Sequence, residues 1–246
     1  MKRIYTIPTL FLLFSIFSMQ AFAQDESLEE ILETHFEVVG QENLAEINAI
    51  KQTGTVMTQG LSIPMTMMIK RPNMMRINAN IAGAEAVFMA YDGTNGWAVQ
   101  PWTGSIDPID LPEDQLRDAM QQADIDGPLF NYEEKGHTVE LEGVEEVEGT
   151  ETYKLKVTLK GGNVLYYYMD TEAYVPIKMT SKTMVQGQEF EQEQFFSNYK
   201  MVEGFAVAHS IETKVMGNTA MQITVNEIVV NPEIEDTYFK KPGTNN

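Results

Sequence analysis

The sequence predicts a mainly β protein with a few helices, built on one antiparallel sheet. Apolar and polar residues alternate through most of the chain after residue 50, which is typical of half-buried strands. These segments follow one another at roughly ten-residue spacing and are separated by polar turns rich in Gly, Asn and Asp, as in an antiparallel meander or barrel. Before residue 50 the apolar residues recur at helical spacing, which places a helix ahead of the sheet.

Composition excludes several classes of function. The chain has 246 residues, is 43% hydrophobic and carries a formal net charge of −19. The apolar fraction supports a folded core, and the length fits a single β domain. We expect no nucleic-acid partner, because phosphates are neutralised by clustered Lys and Arg. The absence of cysteine excludes disulfides, thiolate metal sites, cysteine nucleophiles and lipid attachment through an N-terminal cysteine.

The first 23 residues have the three-part pattern of a secretory signal peptide. Lys2 and Arg3 form the basic start, residues 10–17 form a short apolar run, and residues 21–23 form an A-x-A cleavage motif. The apolar run is shorter than the roughly 18 residues expected of a transmembrane helix. We therefore predict cleavage after Ala23, one mature domain of residues 24–246, and a periplasmic location without stable membrane insertion.

An amphipathic helix is predicted to open the mature domain. It begins at Ser27, and Glu29 and Glu30 in its first turn suit the positive end of the helix dipole. Gly40 is a good C-terminal stop, and a short second helix is predicted over residues 44–47. The apolar face of the first helix consists of Leu28, Ile31, Leu32, Phe36 and Val39.

The first half of the predicted sheet is rich in methionine. Residues 61–70 and 75–81 alternate as strands around a turn, and residues 84–91 form the next strand. Flexible, polarisable thioethers suit a surface that repacks around variable apolar ligands, although methionine also replaces leucine in ordinary cores. We predict an apolar ligand cavity here. Its candidate residues are Ile63, Met65, Met67, Ile69, Met75, Ile77, Phe88, Trp97 and Trp102. Alternatively, both tryptophans are packing residues where helix meets sheet.

A helical insertion is predicted to interrupt the sheet. Residues 104–136 lack alternation and contain three prolines, of which Pro112 begins an amphipathic helix. Alternation resumes at Tyr153 and continues to residue 230. The insertion therefore lies between two halves of one sheet and is not a linker between domains.

No motif for catalysis or for a cofactor is recognisable. The chain has no G-x-S-x-G elbow, Walker loop, G-x-G-x-x-G turn after a strand or H-E-x-x-H helix. His35, His137 and His209 are scattered and lack the spacing of metal ligands. With 36 acidic residues, a solvated acidic face is a better interpretation than a glycosidase pair. We expect a protein that is not an enzyme and holds no cofactor or metal.

Several turn motifs carry a resemblance to a known family. They are the segments at 53–55, 70–73, 91–93, 96–97, 126–129 and 149–150. Their order behind an amphipathic helix resembles the bacterial outer-membrane lipoprotein-sorting family, the LolA/LolB-like carriers, and especially its divergent members. The resemblance covers nearly the whole mature domain.

The resemblance implies an unclosed antiparallel half-barrel whose concave apolar face is covered by helices. In that family the cavity holds lipoprotein acyl chains, so lipoprotein or lipid cargo and envelope release and acceptor proteins are the implied partners. Lacking a lipobox cysteine, the chain resembles the soluble, monomeric carrier more than the lipid-anchored receptor. Arg76 is the candidate for the family's cavity arginine.

The leading hypothesis is a soluble periplasmic carrier for lipoprotein acyl chains or another lipid on the way to the outer membrane. Acyl chains need shielding from water, since burial is worth about 0.8 kcal/mol per CH₂. Release needs a movable lid, for which the helix at 28–39 and the insertion at 104–136 are candidates. The alternative is a non-enzymatic periplasmic scaffold or partner-binding protein with a filled core, and a hydrolase ranks last.

Overall fold

A computed structural model of the protein describes residues 26–81, 83–185 and 188–243, without the side chains of Trp102, Thr183, Met184 and Val185. The predicted signal peptide lies outside this part and stays a prediction. The helices are α1 (Leu28–Val39), α2 (Gln41–Ala45) and α3 (Glu113–Gln122). The strands are β1 (Ala49–Thr58), β2 (Leu61–Lys70), β3 (Met74–Ile81), β4 (Ala84–Tyr91), β5 (Gly96–Ala98), β6 (Ile109–Asp110), β7 (Thr138–Val147), β8 (Thr150–Thr158), β9 (Val164–Asp170), β10 (Pro176–Val185), β11 (Gln188–Val202), β12 (Phe205–Val215) and β13 (Asn218–Val230).

All thirteen strands belong to one antiparallel sheet. Its order is β6-β5-β4-β3-β2-β1-β13-β12-β11-β10-β9-β8-β7, so the first and last halves of the chain meet where β1 pairs with β13. The edge strands β6 and β7 do not pair with each other, and the sheet remains open. The prediction of a mainly β, incomplete barrel is therefore confirmed.

The sequence-based interpretation missed strands β6 and β7. β6 has two residues, too few for a pattern. β7 is rich in glutamate and has the composition of a solvated acidic surface, but its partner β8 supplies the opposite charges. Lys154 Nζ lies 3.1 Å from the Glu145 carboxylate, and Lys156 Nζ lies 2.8 Å from that of Glu140. Such cross-strand pairs stabilise a strand whose own sequence does not predict it.

Helix α1 begins and ends where its capping residues predict. Ser27 and Glu30 form a capping box, in which each side chain accepts a hydrogen bond from the other residue's backbone N–H. Gly40 ends the helix in the left-handed region, with φ of 68°. Ile31 and Leu32 are buried against Leu155 and Met169 of the sheet. The helix therefore packs over the strands of the second half.

The helices cover one face of the sheet. On the first half, Ile69 and Met75 are Cα partners and pack against Ala119 and Ala123 at α3. Beside them, Ile50 pairs with Ile69 and packs with the segment around α2. We call this the helix-covered face and the opposite side the outer face. The expected helical cover is confirmed.

The sheet needs a glycine at position 54, where β1 and β13 pair around a bulge. A Cβ on Gly54 would lie 2.3 Å from the carbonyl oxygen of Thr224, closer than real contacts allow. The close approach of β13 therefore explains why the Thr-Gly-Thr motif at 53–55 has glycine at its centre.

The C-terminal segment, residues 231–243, packs on the outer face of the first half. Phe239 is fully buried, and its carbonyl oxygen accepts a hydrogen bond of 2.8 Å from Trp97 Nε1. The Arg76 guanidinium lies 4.3 Å from the ring centroid of Tyr238 and 5.3 Å from that of Trp97. It also donates a hydrogen bond of 2.7 Å to the Tyr238 carbonyl oxygen. Arg76 therefore holds this segment to the outer face and is not a cavity arginine.

Candidate functional site

An apolar row crosses five adjacent strands on the helix-covered face. Its members are Cα partners from one strand to the next: Ile63 on β2, Val56 on β1, Ile223 on β13, Ile211 on β12 and Phe196 on β11. All five side chains are half-buried, and the four described core clusters include none of them. Because neighbouring strands lie about 4.8 Å apart, the row is about 19 Å long.

Methionines extend this row toward α3. Met67 and Ile77 are Cα partners and lie against the cluster beneath the helix, while Met65 is half-buried between Gly54 and Ala79 of the neighbouring strands. Met75, at the far end, is fully buried under α3. The face is therefore closed at its α3 end and accessible along the apolar row.

Six of the nine predicted cavity residues lie on the helix-covered face, and their contact with a ligand stays a prediction. They are Ile63, Met65, Met67, Ile69, Met75 and Ile77. Phe88 lies in a bulge of β4 that shifts the alternation, and its side chain is 53% exposed. Trp97 pairs with Ala90 and packs on the outer face, so it does not rim this cavity. The side chain of Trp102 lies outside the described part.

Helix α1 is fixed to the second half of the sheet by hydrogen bonds of residues ahead of it and within it. Ahead of the helix, the Glu26 carboxylate accepts hydrogen bonds from the hydroxyls of Tyr153 and Tyr174, at 2.7 and 2.8 Å. Within the helix, the buried His35 donates from Nδ1 to the Tyr174 carbonyl oxygen, 2.7 Å away. Apolar packing and these bonds together hold α1 on the second half of the sheet.

Helix α3 is held by fewer specific contacts. Its N-cap is Pro112, which makes no side-chain capping bond. It meets the sheet through Leu116 and through the small side chains of Ala119 and, just after the helix, Ala123. A helix attached by small apolar side chains separates from its sheet at lower cost than one tied by buried hydrogen bonds.

Arg71 links the β2–β3 turn to the helical segments. Its two Nη atoms donate to the carboxylate of Asp126, just beyond α3, at 2.5 and 2.7 Å. Its Nε donates to the Ile47 carbonyl oxygen at 2.7 Å, and Nη2 also donates to that of Leu44, near the end of α2. Hydrogen bonds from Arg71 hold the pKa of Asp126 below its ordinary value.

The sequence singled out this turn as a motif but gave Arg71 no role. The sequence does contain a signal that Arg71 has a specific role. Residues 52–69 carry no charged side chain, and the two positive charges of Lys70 and Arg71 follow them directly. The partner of Arg71 lies 55 residues away in the chain, so no local pattern identifies it.

Two cavities lie mainly on the outer face, and each is also bordered by one residue assigned to the helix-covered face, Phe196 for the first and Met65 for the second. One, of about 410 Å³, is lined mainly by polar side chains of β11, β12 and β13 and by the β7–β8 turn around Glu148. The other, of about 340 Å³, lies between β2, β3 and Tyr238. Both mix polar and apolar groups, so neither offers the continuous apolar surface of the row.

Stability is expected to depend on pH through His35. Burial lowers the pKa of this imidazole, so below about pH 6.5 the unfolded state binds more protons than the folded state. The free energy of unfolding therefore falls as the pH drops through this range. Urea titrations at about pH 7.5 and 5.5 should show a larger loss for the wild type than for His35→Gln. Equal losses for the two proteins would show that His35 does not cause the dependence.

Within the described residues, no cluster of His, Asp or Glu could hold a metal ion. The same part of the chain contains no helix of the length and apolarity needed to cross a membrane.

Comparison with known proteins gives a match in fold. No protein-family model matches the sequence, and no curated protein matches it. A DUF1329 family protein from Desulfovibrio piger superposes with a TM-score of 0.58 at 12% identity, over 85% of this chain and 97% of that chain. A LolA superfamily protein from Nitrosomonas europaea gives a TM-score of 0.58 at 12% identity, over 88% and 98%. The chain has the LolA fold.

A third structure agrees with this assignment. An outer membrane lipoprotein-sorting protein domain from Vibrio parahaemolyticus has a TM-score of 0.56 at 12% identity, over 85% of this chain and 97% of that chain. The resemblance inferred from turn motifs is thus confirmed at the level of the fold. On this LolA fold the apolar row occupies the helix-covered side of the open sheet.

Proposed function

We propose that this protein is a periplasmic carrier that binds the acyl chains of a lipoprotein or another lipid and delivers them to the outer membrane. The observation that carries the proposal is the half-buried apolar row of five paired strands on the helix-covered face. A protein with a filled core would bury such a row against its own side chains. The proposal includes that the protein is not an enzyme.

The dimensions and chemistry of the row suit an acyl chain. It is about 19 Å long, comparable with an extended fatty acyl chain, and its five side chains offer no hydrogen-bonding group. Each methylene moved from water onto this surface contributes up to about 0.8 kcal/mol. The adjacent Met65 and Met67 adjust their shape to chains of different length or branching.

Helix α3 is the lid in this proposal, and α1 is a fixed wall. Outward movement of α3 would uncover Met75 and Ile69 and lengthen the apolar surface continuous with the row. α1 cannot move in this way without breaking the bonds of Glu26 and His35. Release of cargo would follow closure, as α3 reoccupies the end of the face.

Paired fluorescent labels test the assignment of the lid. The protein has no native cysteine, so labels can be placed at Met120→Cys on α3 and Met57→Cys at the end of β1. The control pair is Val38→Cys on α1 with the same Met57→Cys, and the three sites are 42–43% exposed. Adding palmitate should change energy transfer for the α3 pair and leave the α1 pair unchanged. Equal changes, or no change in either, would contradict the role of α3.

A further inference from the structure

A buried hydroxyl on the helix-covered face has no partner. Thr213 is 5% exposed, and its Oγ1 atom is buried without a hydrogen-bond partner among the described residues. Such a hydroxyl has given up its hydrogen bonds to water and has made none in return, which lowers the stability of the protein. Valine would fill the same position with the same branched shape and without this cost. The threonine is therefore best explained by a ligand that supplies the missing partner.

Thr213 lies beside the apolar row. It follows Ile211 by two residues on β12, so alternation places both side chains on the same face of the sheet. Its Cα partners are Gln194 on β11 and Met221 on β13, the two strands that also flank Ile211 in the row. Because two residues span about 7 Å along a strand, the hydroxyl is within reach of the polar end of a chain that lies on the row.

The charged residues around Thr213 lie on the opposite face of the sheet. In residues 176–182 of β10, 188–196 of β11 and 210–215 of β12, alternation and register put every acidic and basic side chain on the outer face. They are Lys178, Lys182, Glu189, Glu191, Glu193, Glu212 and Lys214. His209, on the helix-covered face, stands on the far side of Ile211. A charged group brought next to Thr213 would lose water without gaining a counter-charge, so this position favours an uncharged group.

We propose that Thr213 is a specificity-determining residue whose hydroxyl donates a hydrogen bond to the carbonyl oxygen of an uncharged acyl ester or amide bound on the apolar row. This inference rests on the proposed carrier function and deepens it, because it distinguishes acyl esters and amides from free fatty acids. A carbonyl oxygen accepts the proton that Thr213 offers and brings no charge to this face. The long, flexible side chains of Gln194 and Met221, both half-buried, turn aside to admit the carbonyl group.

Two ligands that differ in one carbonyl group test the proposal. Monopalmitoylglycerol is an ester, and hexadecylglycerol is an ether with the same headgroup and a chain of the same length. Their affinities are measured by displacement of the uncharged fluorescent probe N-phenyl-1-naphthylamine, below the concentrations at which they form micelles. We expect the wild type to bind the ester about three- to tenfold more tightly than the ether, which is the effect of one hydrogen bond.

Thr213→Val is the test variant, and Thr180→Val is its matched control. Thr180 is 4% exposed and therefore similarly buried, but it lies on the outer face, where its Cα partner on β11 is Glu193. Thr213→Val should bind the ester and the ether with equal affinity, whereas Thr180→Val should keep the preference for the ester. Thr213→Ser retains the hydroxyl and should keep the preference as well. A preference that survives in Thr213→Val, or that both valine variants lose, would overturn the proposal.

Urea unfolding without ligand separates recognition from a structural role. Thr213→Val should keep or raise the urea midpoint, because the hydroxyl makes no hydrogen bond in the empty protein. A clearly lower midpoint would mean that the hydroxyl is bonded within the folded chain, and this result would also overturn the proposal.

Palmitate tests the preference for an uncharged group. At about pH 8, where it is ionised, it should bind the wild type at least about threefold less tightly than monopalmitoylglycerol. Equal or tighter binding of palmitate would contradict this preference.

The same titrations distinguish this inference from the carrier function. If the wild type binds the ester and the ether equally well, the role of Thr213 is wrong and the carrier function stands. If none of the three lipids displaces the probe, the carrier function is wrong, and the role of Thr213 is wrong with it.

Discussion

Met65→Glu is expected to lower the affinity for N-phenyl-1-naphthylamine by at least about 30-fold, since a carboxylate beside the ligand must lose water on binding. Met65 is half-buried between two strands that also carry the apolar row. Its partial exposure allows the charge to remain hydrated in the empty protein, so the variant should fold. The measurement is a fluorescence titration of the probe, followed by displacement with palmitate.

Met68→Glu is the matched control for this prediction. Met68 lies on the same strand, is also half-buried, and faces the outer side, where its Cα partner is Arg76. The same charge placed there should change probe affinity less than about threefold. If both variants bind the probe like the wild type, the ligand does not occupy the helix-covered face.

Arg71→Ala is expected to lower the free energy of unfolding by about 2–4 kcal/mol. The substitution leaves Asp126, whose side chain is 14% exposed, without its bidentate partner, and removes a donor from the Ile47 carbonyl oxygen. Urea unfolding at neutral pH measures the loss. Arg117→Ala removes the same charge from an exposed position of α3 and should cost less than about 0.5 kcal/mol.

The effect of Arg71 should also depend on pH. Because Arg71 lowers the pKa of Asp126 in the folded state, its contribution is complete above about pH 4 and is lost as the pH falls through the folded-state value. The difference between wild type and Arg71→Ala should therefore shrink in acid. A difference that stays constant down to acidic pH would show that Asp126 is not the partner that matters.

Much of the fold could be predicted because its determinants are local. Ser27, Glu30 and Gly40 define α1 through contacts within a few residues, and alternation in β2 and β3 assigns their faces directly. β7 could not be predicted in this way, because the lysines that neutralise its glutamates belong to β8. Local sequence therefore predicts an element when its stabilising partners lie in the same element.

The candidate site was only partly predictable for the same reason. The alternation of apolar and polar residues in β2 assigns Ile63 and Met65 to one face of the sheet. The apolar row also includes Ile211, Ile223 and Phe196, which lie on other strands. Those residues reach Ile63 only through the pairing of β1 with β13, which joins the two ends of the chain.

Aromatic residues were a poor guide to the cavity. Trp97 is covered by the C-terminal segment, which lies 142 residues further along the chain at Phe239. Phe88 is displaced by a bulge, and a bulge reverses the face of a side chain without changing the composition of the strand.

Photo-cross-linking tests most directly whether the helix-covered face receives an acyl chain. A fatty acid with a diazirine near the end of its chain is bound to the protein, activated by light, and its adducts are located by peptide mass spectrometry. We expect adducts on residues 54–67 and 221–225 and on Ile211, with excess palmitate suppressing them. Adducts confined to the outer face, around Tyr238 or the cavity beside Glu148, or labelling that palmitate does not suppress, would contradict the proposed carrier function.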